Sequence, residues 1–166
     1  MLFFRNKHNT DLYITLLTLS RNVFFYKKID LPDNFETRIY LMFIHFSIMM
    51  IIFKKKKSKF DQQLYDLVFN KIENDLRELG YGDVTVNKKM KDLNKILYDI
   101  LLKIELNNDK NKFTINQNLI FKYFSKLHGS NNSKYAEFEL YLTSFFNFCF
   151  DIKVENMIRD AIKFKF

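Results

Sequence analysis

The sequence predicts an all-α protein, a single-domain bundle of six or seven helices packed around a central apolar helix. Three observations carry this. Apolar residues recur at helical spacing through most of the chain. Glycine and proline, three and one among 166 residues, are too few for a many-turned sandwich or barrel. One stretch, Ile39 to Phe53, is nearly uninterrupted hydrocarbon, as expected of a helix buried on nearly all sides. Residues 1–166 fit one domain with a real core.

The first nine residues are short and basic and are expected to be flexible. No small-residue cleavage site follows Arg5-Asn6-Lys7-His8-Asn9, which disfavours a signal peptide. A first helix is predicted from Thr10 to about Tyr26, with Leu12, Leu16, Leu19 and Val23 on one face. Asp30-Leu31-Pro32-Asp33 breaks it, and Asp33 with Glu36 has capping-box spacing for the next helix. That helix carries the Ile39–Phe53 run, with Arg38 at its edge and His45 and Ser47 inside. A spanning helix needs about 20 apolar residues. Length therefore favours a core helix, with a membrane-dipping helix as the alternative. Arg38 and His45 lie two turns apart and should point the same way. A buried arginine needs a partner, and Asp33 and Asp83 are the candidates. The lysine run 54–57 reads as a solvated connector that can also meet lipid phosphates or rRNA.

Two helices with clean stripes follow. The first, about Lys59 to Leu79, presents Phe60, Leu64, Leu67, Val68, Ile72, Leu76 and Leu79; the second, Thr85 to Leu106, presents Val86, Met90, Leu93, Leu97, Ile100, Leu101 and Ile104. Gly80 falls where a helix needs a left-handed residue past its end. Asp83 or Thr85 can cap the helix that follows. Opposite its stripe stand Lys88, Lys91 and Lys95, with Lys89 beside them. Beyond a polar loop at 107–111, Thr114 with Gln117 makes another capping box, opening a helix with Leu119, Ile120, Tyr123, Phe124 and Leu127. His128-Gly129-Ser130-Asn131-Asn132 breaks the chain again. Tyr135, Phe138, Leu142, Phe145 and Cys149 then mark a helix, and a last basic amphipathic segment uses Met157, Ile158 and Ile162.

The residues offer no catalytic constellation. His8, His45 and His128 are scattered without partners at metal-ligand spacing, and Cys149 has no CxxC companion. His45 reads as a core histidine and Cys149 as a small buried hydrophobe. Gly80-Tyr81-Gly82 lacks the strand, third glycine and Gly-Lys-Ser/Thr end of a phosphate loop. No enzyme activity, cofactor or metal is expected. The formal charge of +8 permits an anionic partner such as RNA, a ribosome or an acidic lipid surface without choosing among them. A lone cysteine excludes an intramolecular disulfide and suits a reducing compartment.

Two blocks carry a resemblance. The first is Phe25-Tyr26, Leu31-Pro32-Asp33, Arg38, and His45 within the apolar helix. The second is Leu76-Arg77-Glu78-Leu79-Gly80-Tyr81-Gly82-Asp83, followed by Val86 and Lys88-Lys89-Met90. Together they resemble the ubiquinol–cytochrome c chaperone family, bacterial relatives of the mitochondrial cytochrome b assembly factor, over roughly residues 12 to 105. Thr37 and Ile39 depart from the family's Gly and Phe on either side of the arginine. The resemblance implies an assembly factor for the cytochrome bc1 complex (complex III of the respiratory chain) that engages newly made cytochrome b. It also implies work near the ribosome or an anionic membrane surface, and a possible small helper protein. The expected location is cytoplasmic and peripheral at the inner membrane face in a bacterium, or the matrix side of a mitochondrion. On this reading the partner-binding candidates are Pro32, Asp33, Arg38, His45, Arg77, Glu78, Gly80, Gly82, Asp83, Lys88, Lys89, Lys91 and Lys95. A basic all-α module that binds RNA or a ribosome directly, and a plain structural subunit, are the competing readings.

Overall fold

The computed structural model describes residues 5–107, 112–129 and 132–166, with side chains described from Leu12 onward except at 107 and 132. Seven α-helices form the body: α1 Arg5–Ser20, α2 Phe35–Lys55, α3 Gln62–Glu78, α4 Asp83–Leu102, α5 Gln117–Tyr123, α6 Asn132–Asp151 and α7 Val154–Asp160. A wide π-type turn, Phe24–Lys28, joins α1 to α2, and single 3-10 turns follow α5 and α7. One antiparallel hairpin, β1 Ile104–Asn107 with β2 Lys112–Ile115, interrupts the helices.

The apolar helix α2 is the centre, with α1, α4 and α6 packed around it. It is long and apolar enough to cross a membrane by composition, yet 67% of its most apolar window is buried among the other helices. His45 lies at the heart of this packing with no surface exposure. Leu41 O can only accept, so Nδ1–H donates to it at 2.6 Å. That leaves Nε2 to accept from the Tyr141 hydroxyl of α6 at 2.8 Å. Burial pulls the imidazole pKa down to about 4, against the opposing pull of the Leu41 bond, so the ring is neutral at pH 7. Phe25 of the π-turn stands edge-on to both His45 and Tyr141, and Phe24 stacks on Tyr141 at 5.3 Å. Phe25 of the first block is thus a core partner of its histidine. Cys149, on the same α6 face, is buried, and its thiol pKa is pushed up to about 12 by that burial.

Several expected boundaries move. The first helix begins at Arg5, so residues 5–9 are helical rather than flexible, and it ends at Ser20 rather than Tyr26. Asn22 Oδ1 then accepts from Phe24 N–H at 3.0 Å and opens the π-turn. Val23, expected on the buried face, sits at this break and is 58% exposed. The N-cap of α2 is Asn34, which accepts from Thr37 N–H at 2.9 Å; Asp33 is engaged with Arg38 instead. At α4 the cap position is Gly82, without a side-chain bond, and Asp83 is the first helical residue. The fourth helix stops at Leu102 because Ile104 to Asn107 pair with Lys112 to Ile115. Ile104 is buried in the strand as it would have been in a helix, so burial alone could not distinguish the two. Thr114 lies in β2, and Asn116 caps α5 by accepting from Asn118 N–H at 2.9 Å. The polar loop expected at 107–111 and the break at 128–132 fall partly outside the described residues, at 108–111 and 130–131.

The lysine run is not uniformly solvated. Lys56 donates to the Phe150 and Ile152 carbonyls at the end of α6, at 2.5 and 2.8 Å, and lies 5.0 Å over the Phe150 ring. A cation there meets the negative end of the α6 dipole. Asp99 plays a similar part at α4. It accepts from Lys103, Lys122 and Tyr123, which hold its carboxyl well below the usual carboxylate range and tie α4 to α5.

Candidate functional site

Two shallow grooves of about 440 and 400 Å³ adjoin on one side of the bundle and share Arg21 and Arg38. The fold assembles them from three elements. The end of α1 supplies Tyr13, Leu17 and Arg21; the first turns of α2 supply Phe35, Arg38, Ile39 and Met42; the end of α3 supplies Asp75, Glu78 and Leu79. Across Arg38 the second groove continues along Val23, Tyr26, Lys27 and Asp33. Arg38 and Glu78, one from each sequence block, therefore line the same groove.

The polar groups are held in place. Arg38 donates Nε–H and Nη2–H to one oxygen of Asp33, at 2.9 and 2.7 Å. This is the first of the two carboxylates expected for it. The arginine is not buried, however; its side chain is 37% exposed at the groove wall. So Arg38 and His45 share a side of α2 but not an environment, because α2 enters the core only after its first turn. Tyr13 donates its hydroxyl to Asp75 across 62 positions. Burial, then that carboxylate, raises the Tyr13 pKa, so the phenol stays a donor. Tyr26 donates to Ser20 O at 2.6 Å, and its pKa is raised by burial and by Asp33.

The corner after α3 borders the groove. Leu79 caps α3, and Gly80 at φ +95° takes the left-handed position expected of it. Gly80 N–H donates to Arg77 O and Tyr81 N–H to Leu76 O, the two bonds of a Schellman turn. Gly82 has an ordinary φ of −75° and open space where a Cβ would stand. Arg77 donates to Glu73 at 3.0 Å and to Asp83, bridging α3 to the start of α4. Asp83, the other candidate for Arg38, is thereby engaged elsewhere.

The remaining candidates lie apart. Pro32 is exposed beside the groove, and its carbonyl accepts from Asn34 N–H at 3.1 Å. His45, placed among partner-binding residues by the resemblance, is sealed in the core and reaches no partner in this fold. Lys88, Lys91 and Lys95 are exposed on α4, while Lys89 is half-buried 4.7 Å over the Tyr81 ring. Sequence reasoning missed Tyr13, Arg21 and Asp75, since nothing in the local pattern joins α1 to the end of α3. It also missed the exposed apolar rim of Val23, Leu79, Tyr81 and Val84, the last 85% exposed. Leu79, which its period assigns to the buried stripe, is 59% exposed.

Fixed charges, protonated phenols and an apolar rim suit recognition of another macromolecule. No group of three metal-ligating side chains occurs among the described residues. The molecule is a helical protein with a charged groove at a helix corner. The family model described as ubiquinol-cytochrome C chaperone matches residues 27–128, and the chain belongs to that family. The match runs past the two blocks as far as the end of the 3-10 turn after α5, and it leaves Phe25 and Tyr26 outside. No curated protein and no solved structure matches the chain.

Proposed function

We propose that this protein is an assembly chaperone for the cytochrome bc1 complex, holding newly made cytochrome b until its partners join. The observation that supports this best is the meeting at one groove of Arg38 and Glu78, one from each sequence block and both inside the family-matched segment. A transmembrane client offers apolar helix surface flanked by polar loop ends. The groove offers the complement, with Leu79 and Val23 exposed beside Arg38, Asp33 and Glu78. The work is placed at the membrane face on the side where the client's loops are made, cytoplasmic in a bacterium or matrix-facing in a mitochondrion. A small helper protein can cover part of the same rim.

Affinity capture from membranes of cells carrying the protein tests this. Cytochrome b should be enriched with the native chain and depleted with Glu78→Lys, whose exposed position leaves the fold intact. Equal capture by both, or none by either, would sink the proposal.

A second reading is favoured by one observation. Lys88, Lys91 and Lys95 are exposed along one helix and make no ion pair among the described residues. Such a face can bind RNA or a ribosome through phosphates alone. Steeply salt-dependent binding to naked RNA, lost in the triple Glu variant, would support it.

A further inference from the structure

Another groove, of about 940 Å³, lies away from the charged one, between the end of α2, the end of α4 and β1. Its floor is apolar: Met50, Ile51, Leu101, Leu102, Ile104 and Leu106. Its rim carries Lys54, Lys55 and Lys57, and no carboxylate among the described residues lines it. Among the described residues these three lysines make no ion pair. Leu102 stands beside them with 79% of its surface in solvent.

The helix dipole accounts for Lys54 and Lys55, which sit in the last turn of α2. It does not account for Lys57. After the Lys56 cap, Lys57 N–H donates to Lys54 O and Ser58 N–H to Phe53 O, a second Schellman turn. Lys57 occupies its left-handed position at φ +55°. Glycine takes that conformation without penalty and a lysine does not. The fold thus holds a cation at the mouth of an apolar groove at a backbone cost.

We propose that this groove seats an anionic phospholipid of a bilayer surface, with the phosphate among Lys54, Lys55 and Lys57. An acyl chain lies on the Met50–Ile51–Leu102–Ile104 floor. Nucleic acid would use the lysines and leave the apolar floor in water; an anionic lipid satisfies both at once. Lysine stems reaching from an apolar surface to a charged plane are the ordinary arrangement at a membrane interface. The inference adds a ligand to the membrane-face placement above. Its test needs only protein and lipid, so its failure leaves the client reading standing.

The full chain is sedimented at low salt with phosphatidylcholine vesicles, with and without phosphatidylglycerol. It should bind only the anionic vesicles. Lys57→Gly should raise the melting temperature by roughly 2–4 °C while weakening vesicle binding about fivefold. Leu102→Ser should weaken vesicle binding without altering retention on an RNA homopolymer. Equal binding to neutral vesicles, or unchanged binding in Lys57→Gly, would overturn the proposal. So would a Leu102→Ser variant that loses RNA and vesicles alike or keeps both.

Discussion

The Tyr141 hydroxyl donates to His45 Nε2 at 2.8 Å and so joins α6 to the centre of α2, 96 positions away. Both side chains are wholly buried. Tyr141→Phe keeps the ring packing and leaves Nε2 without a donor in the core. An unsatisfied buried acceptor costs about 1–3 kcal/mol. Urea unfolding of this variant should show that loss with an unchanged m-value.

The same histidine makes the fold sensitive to acid. Its folded pKa of about 4 lies below the ordinary value of 6.5, so between those values the unfolded chain binds the extra proton. Stability is then fully present above pH 6.5 and falls as the pH drops toward 4, by up to about 3 kcal/mol. His45→Gln removes this dependence. Denaturation midpoints for both proteins at pH 7 and pH 4.5 should converge at the lower value; parallel losses would mean that other groups govern the acid limb.

The two glycines of the corner should respond differently. Gly80→Ala places a Cβ on a residue at φ +95° and should cost about 1 kcal/mol. Gly82→Ala meets open space at an ordinary φ and should be nearly silent. Thermal melts of the pair separate backbone strain from any role in client contact.

Asp83→Ala breaks an exposed bridge to Arg77, and exposed ion pairs add little to stability. Its melting temperature should barely change. We expect bc1 assembly in cells to fall more than the melting temperature does. Assembly loss only in proportion to unfolding would make the corner purely structural.

Lys56→Met removes a cation from the two carbonyls at the end of α6 and should cost about 1–3 kcal/mol. Lys54→Met loses only an exposed cation in the last turn of α2 and should cost no more than a few tenths of a kcal/mol. Chemical denaturation of the two variants gives the contrast directly.

Much of the bundle was legible because burial and period coincide. Leu64, Val68, Ile72 and Leu76, and Val86, Leu93, Leu97 and Ile100, are buried at the spacing that announced their helices. The core role of His45 was readable too, since an imidazole amid hydrocarbon needs a partner, though nothing named Tyr141. The left-handed Gly80 followed from its place after a periodic stripe. What failed were ends and pairings. Asn34 and Asn116 took cap positions expected of neighbours, because competing hydrogen-bonding side chains lie within a residue or two of each other; Gly82 took one with no side-chain bond at all. The hairpin was hidden because Ile104 satisfies both a helical and a strand pattern. The groove was half visible: Arg38, Asp33 and Glu78 were singled out, while Tyr13 and Asp75 meet only through tertiary packing.

The family match ends at residue 128, yet the partner of its central histidine is at 141. Of the helices that touch α2, α3, α4 and α5 lie inside the matched segment, while α1 and α6 lie outside it. A fragment spanning 27–128 would therefore present a membrane-length hydrocarbon rod on two open sides, with an unpaired imidazole between them. Water would not tolerate it, and the fragment would enter bilayers or aggregate. In this molecule, α1 and α6 together cover the sides of α2 that the matched segment leaves open.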